Sequence, residues 1–122
     1  MTPEKAFWHA IKHGPSEKTR TIACENPYFA YQYAKEVDKC PHEDTKKAAC
    51  KKPYYALIYA QEIYKGPEDY IGNILAMNPE FAYRYAKDIE GPSEKTRKGA
   101  CINPYYAYYY ALEVDKCPEK DT

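Results

Sequence analysis

Small apolar residues recur along this chain in pairs, and each pair is set off by a proline. Pro3, Pro27, Pro53, Pro79 and Pro104 stand 24, 26, 26 and 25 residues apart. Alanine follows three residues later (Ala6, Ala30, Ala56, Ala82, Ala107) and again four residues beyond (Ala10, Ala34, Ala60, Ala86, Ala111). In four of these units a branched aliphatic comes three residues further on: Val37, Ile63, Ile89 and Val114. Apolar positions at i, i+4 and i+7 form one stripe of an α-helix. Aromatics flank the stripe, with Phe29, Tyr33, Phe81, Tyr85, Tyr106 and Tyr110 on one side and Tyr31, Tyr83 and Tyr108 on the other. Thr2, Asn26, Asn78 and Asn103 each precede a proline, which places a capping side chain before the first helical position. The pattern predicts a helix A of about 12 to 14 residues, ended by Gly66, Gly91 or Cys40 and the proline beyond.

A second proline opens the rest of each unit: Pro15, Pro41, Pro67, Pro92 and Pro118. The first four lie 12 residues before the next unit's leading proline. A helix B of roughly nine or ten residues is expected to start there, with Glu17, Glu43, Asp69 or Glu94 in its first turn, where the helix dipole favours an acid. Thr19, Thr45, Ile71 and Thr96 are expected to point inward with Ala23, Ala49, Leu75 and Ala100. Residues 14–20 recur letter for letter at 91–97, and 36–41 at 113–118, so the units arose by duplication. The expected fold is all-α: tandem two-helix units 2–25, 26–51, 52–77, 78–102 and 103–122 in one domain. Five A and four B helices would stack as a short right-handed α-solenoid.

The run from Asn26 to Val37, and its counterpart from Asn78 to Ile89, resembles a short helical repeat found in uncharacterised proteins of large tailed phages and some bacteria. Its core is Asn/Asp-Pro-x-x-Ala-Tyr-x-Tyr-Ala, and the resemblance covers most of the chain. It implies a helical repeat protein and, in a phage setting, a role in modulating a host protein. It implies no catalytic residue.

Composition narrows the function classes. Lys and Arg number 18 and Asp and Glu 18, a balance that argues against a dedicated nucleic-acid or membrane-surface binder. No stretch approaches the roughly 18 apolar residues of a membrane span. The five cysteines are odd in number, and no apolar run follows Met1, which suggests reduced thiols and a cytoplasmic protein. Cys24, Cys50 and Cys101 fall at equivalent places where a fourth unit has Ala76, so the position is expected to be small and buried. Cys40 and Cys117 end A helices, and no Cys-x-x-Cys pair occurs. His9 and His13 have the spacing of two metal ligands on one helix face, but no third ligand accompanies them. The expectation there is a packed His9 and a solvated His13. The acids Glu36, Asp38, Glu62, Asp88, Glu90, Glu113 and Asp115 repeat with the unit, which suits a solvated face better than acid–base chemistry. No phosphate loop or nucleophile motif is present. The chain is therefore expected to be no enzyme and to need no cofactor or metal.

Two surfaces are unusual. Lys46, Lys47, Lys51 and Lys52 cluster on the second B helix, with Arg97 and Lys98 on the fourth, and exposed tyrosines could stack on single-stranded bases. Glu68 and Asp69 on the third B helix interrupt that track and argue against nucleic acid. The second surface is aromatic, in a chain with 15 Tyr. The first, fifth and eighth positions after proline are Glu80, Arg84 and Lys87 in the fourth unit but Tyr105, Tyr109 and Leu112 in the fifth. Trp8 takes the place equivalent to Arg84, and Tyr54 and Ile58 form a smaller patch. These six residues either shield an open end or bind. The favoured function is a protein-interaction module, since Tyr and Trp concentrate binding energy at interfaces. The alternatives are head-to-tail self-assembly into rings or filaments and weak single-stranded nucleic-acid binding.

Overall fold

A computed structural model gives the fold and describes residues 1–116. The expectations for Cys117, Pro118 and the remainder of the fifth unit lie outside these residues. The described residues are all-helical, with nine α-helices. The A helices are α1 (Pro3–His13), α3 (Pro27–Gln32), α5 (Pro53–Tyr59), α7 (Pro79–Tyr85) and α9 (Pro104–Tyr109). The B helices are α2 (Glu17–Ala23), α4 (Glu43–Ala49), α6 (Asp69–Leu75) and α8 (Glu94–Ala100). The chain forms two compact units, Met1–Tyr64 with α1–α5 and, from Lys65 on, a second with α6–α9. In the first, α1 packs on α2 and α3, and α3 on α4 and α5. In the second, α7 packs on α6, α8 and α9.

The A helices start as their sequences dictate. Asn26 Oδ1 accepts from the backbone N–H of Tyr28 and Phe29, Asn78 from Glu80 and Phe81, Asn103 from Tyr105, and Thr2 from Lys5. Lys52 holds the same place before α5 and makes no such bond. The B helices are seven residues long, shorter than expected, and start two residues past their prolines. Ser16 and Ser93 accept from the N–H of Thr19 and Thr96, and Glu68 accepts from Ile71. Side-chain capping therefore fixes the start of α2, α6 and α8, whereas His42 before α4 makes no such bond; in all four the proline sits in the linker ahead.

The A helices end in an unexpected way. After α3, α5, α7 and α9 the backbone continues without a break as π-helical turns: Tyr33–Asp38, Ala60–Tyr64, Ala86–Glu90 and Tyr110–Asp115. The Gly91 and Lys116 N–H groups donate five residues back, to Ala86 at 2.8 Å and Ala111 at 3.1 Å. In α1 the Gly14 N–H donates only four residues back, to Ala10 at 2.7 Å. Residue count explains the difference. Pro3 to Gly14 is 11 steps, whereas Pro27 to Lys39, Pro53 to Lys65, Pro79 to Gly91 and Pro104 to Lys116 are each 12. The added residue widens one turn, as inserted residues in helices do. Lys39, Lys65 and Lys116 then stop the helices at φ 57°, 59° and 50°, in place of the expected Cys40 or Gly66.

Alanine lines the core through the first four units. Ala6, Ala10, Ala30, Ala34, Ala56, Ala60, Ala82 and Ala86 are buried, while Ala107 is half-buried and Ala111 exposed. Thr19, Thr45, Ile71 and Thr96 point inward, as do Ala23, Ala49, Leu75 and Ala100. The largest buried side chains are Tyr33, Tyr59, Tyr85 and Tyr110. Each stands six residues past its proline, and each hydroxyl reaches the start of the preceding B helix. Tyr33 accepts from the Ser16 N–H (3.0 Å), donates to the Ser16 carbonyl (3.1 Å) and lies 2.7 Å from the Thr19 hydroxyl. Tyr59 does the same with His42 and Thr45, and Tyr110 with Ser93 and Thr96. Tyr85 bonds the Glu68 backbone alone, because Ile71 stands in the threonine place. Gly72 makes room for this ring, since a Cβ there would come within 3.2 Å of it. A tyrosine can be buried so deeply because its polar tip is satisfied.

Candidate interaction faces

The acids at the A-helix ends hold the fold together. Asp38 is buried and takes both Arg20 Nε (2.8 Å) and a terminal guanidinium nitrogen (2.7 Å). Asp115 receives Arg97 in the same way, at 3.2 and 2.8 Å. Both guanidinium groups lie 5.6 Å above a buried tyrosine ring, Tyr33 or Tyr110. The hydrogen bond to Asp38 raises the pKa of Arg20 and outweighs its burial. The solvated acidic face expected from sequence is thus partly an internal clamp, because a bidentate Arg–carboxylate pair fixes geometry as well as charge.

A second tie joins neighbouring A helices. The Tyr31 hydroxyl of α3 donates to Glu62 after α5 at 2.5 Å, and Lys35 Nζ lies 2.9 Å from the same carboxylate. Tyr83 and Lys87 treat Glu113 alike, at 2.6 and 3.0 Å. Each ammonium also sits over its tyrosine ring, at 5.8 and 5.7 Å. The tyrosine hydrogen bond, followed by the lysine one, holds both glutamates below the ordinary carboxylate range. Burial, then the Glu62 bond, pushes Tyr31 up to about 12. The fourth and eighth positions past proline therefore face the next A helix, and Lys87, exposed as expected, also reaches across to it.

That geometry locates the exposed aromatics. On α9 the equivalent positions are Tyr108 and Leu112, 61% and 55% exposed, beside Tyr105 at 60%. Tyr109 is half-buried, its ring 4.8 Å from Tyr105, 5.0 Å from Tyr108 and 6.4 Å from Tyr83. The face is therefore one continuous set of rings rather than scattered side chains. Trp8 on α1 is 58% exposed and stacks edge-on against Phe7. Tyr54 is exposed and Ile58 half-buried on α5. No protein-family model, curated protein or solved structure matches the chain. Its function is therefore argued from these surfaces.

The remaining candidates are dispersed. Lys46 is buried with its ammonium 2.9 Å from Glu43, while Lys47 lies 3.9 Å from the same residue and Lys51 and Lys52 are exposed. Lys46 is thus neither exposed nor unpaired, as a basic track would need. His9 is exposed, not packed; its ring is 4.4 Å from that of His13. It occupies the place of the buried tyrosines, six residues past Pro3. Among the described residues no three His, Cys, Asp or Glu side chains converge as a metal site would require. The shared cysteine position is graded rather than uniformly buried: Cys50 is buried, Cys24 half-buried and Cys101 exposed. Burial, reinforced by Asp44, pushes the Cys24 thiol up to about 11, which suppresses thiolate reactivity. Tyr108 was missing from the sequence-derived face. Its signal was the charge register, since Tyr31 and Tyr83 are followed by Lys at i+4 and by Glu in the next unit.

Proposed function

We propose that the chain is a non-enzymatic module that binds another protein through its aromatic helix faces, chiefly Tyr105, Tyr108 and Tyr109 on α9 and Leu112 in the turn that follows it, with Trp8 on α1. The observation that carries this reading is this face itself: Tyr108 and Leu112 stand where α3 and α7 and the turns after them hold another A helix, yet here they are exposed, beside the exposed Tyr105 and the half-buried Tyr109. Tyrosine and tryptophan give large contact area at low ordering cost, and exposed contiguous apolar patches mark interaction sites. The resemblance to phage-type helical repeats would make the partner a host protein. A nucleic-acid partner draws little support from a cluster whose Lys46 is buried beside Glu43.

Self-association is the second reading, and one observation favours it: a face built like a helix-packing face can receive an A helix from another copy. Light-scattering mass after size exclusion, over a wide concentration range, separates the two. A module for a foreign protein keeps the mass of one chain throughout. A mass that climbs with concentration and returns to one chain on Tyr109→Glu with Leu112→Lys makes assembly the function instead.

A further inference from the structure

The tie between neighbouring A helices is complete in two places and open in a third. Glu62 and Glu113, each nine residues past a proline, are held by a tyrosine hydroxyl and a lysine ammonium from the preceding A helix. Glu36 stands at the same position after α3. The residues of α1 that should hold it are Phe7 and Ile11, which have nothing to donate. Among the described residues the Glu36 side chain makes no hydrogen bond or ion pair, and it is exposed. A groove of about 420 Å³ opens there between α1 and α3. Phe7, Trp8, Ile11 and Tyr28 supply its apolar walls, and the charged residues lining it, among those described, are Glu4 and Glu36.

Resting on the interaction reading above, we propose that this groove binds a foreign protein segment that presents a tyrosine and a lysine four residues apart on a helix. The partner supplies between molecules what α3 and α7 supply within this one: a ring on the apolar wall, with a hydroxyl and an ammonium on the Glu36 carboxylate. The charged residues that line the groove among those described, Glu4 and Glu36, are both carboxylates and repel the phosphates of nucleic acids and anionic lipids. A second copy of the chain is a poor donor. Tyr-x-x-x-Lys occurs twice in the sequence, at Tyr31–Lys35 and Tyr83–Lys87, and both pairs are already engaged. Apolar area supplies most of the affinity, because an exposed ion pair adds little, and the carboxylate selects which segment binds.

The test uses the full chain, isotope-labelled for amide NMR, and a synthetic alanine-based helical peptide carrying one Tyr-x-x-x-Lys pair. Shifts are expected at Phe7, Ile11, Gln32 and Glu36. Affinity should fall roughly five- to tenfold with Glu36→Gln, as for loss of a partly exposed charge-assisted hydrogen bond. A peptide with Phe-x-x-x-Gln should lose about as much. The paired change Phe7→Tyr with Ile11→Lys should close the tie internally and weaken peptide binding at least as much as Glu36→Gln does. Equal affinity for both peptides, no effect of Glu36→Gln, or no binding up to about 1 mM peptide, the weak limit of specific association, overturns the proposal. Shifts confined to α9 overturn it as well, and leave the interaction reading standing.

Discussion

The buried tyrosine hydroxyl is the smallest unit of this fold that can be tested. Tyr33 accepts one backbone bond and donates another at Ser16, the cap of α2. Tyr33→Phe keeps the ring and takes the phenol away from the Ser16 N–H and carbonyl, while the Thr19 hydroxyl keeps its bonds to Ser16. The expected loss is about 2 kcal/mol, the cost of orphaning buried polar groups, read as a lower urea midpoint at unchanged slope. Burial also pushes Tyr59 up to about 12 from a usual 10.0. The neutral phenol is thus favoured in the folded state. This contribution is fully present below pH 10 and fades as pH rises towards 12. Denaturation midpoints should therefore fall through that window, and Tyr59→Phe should flatten the fall.

At the scale of the element, the left-handed helix ends are the adjustable feature. Lys39 takes φ 57° and ψ 29°, a conformation that strains a residue with a Cβ, whereas the equivalent Gly91 is free to take positive φ. Lys39→Gly should raise stability by about 0.5–1 kcal/mol, measured by thermal or urea unfolding. The helices and their caps were legible in the sequence, because an Asn-Pro start and an alanine pair are local signals. The π-helical turns were not, although the count from proline to helix stop held the clue. Ala34 and Val37 fit a helical stripe whether or not one turn is widened, and only the eleven steps of α1 against twelve elsewhere betray the insertion. Helix B starts later than its proline suggests because Ser16, not Pro15, caps α2. The acid clamps were missed for another reason. Asp38 and Asp115 each find an arginine 18 residues away, beyond any local pattern. Lys46 stands in the place of Arg20, so its burial follows from the repeat register rather than from its membership of a basic run.

For the molecule as a whole, formal charges cancel, and no helix of the described residues is long and apolar enough to cross a membrane. What distinguishes its surface is aromatic. The α9 face was half legible: Tyr105, Tyr109 and Leu112 stood out as apolar where Glu80, Arg84 and Lys87 are charged. Tyr108 belongs to it because its equivalents Tyr31 and Tyr83 face the next A helix, a contact no local pattern encodes. The proposed function turns on whether that face recognises protein. Selecting a random peptide library against the folded chain tests it most directly, with the selected peptides competed against one another and rebound to Tyr105→Glu with Tyr108→Glu. A working face should yield peptides that compete for one site and lose binding to the variant by at least about tenfold, as removal of hot-spot residues does. Peptides that bind wild type and variant equally, or a library that yields none, would contradict the account.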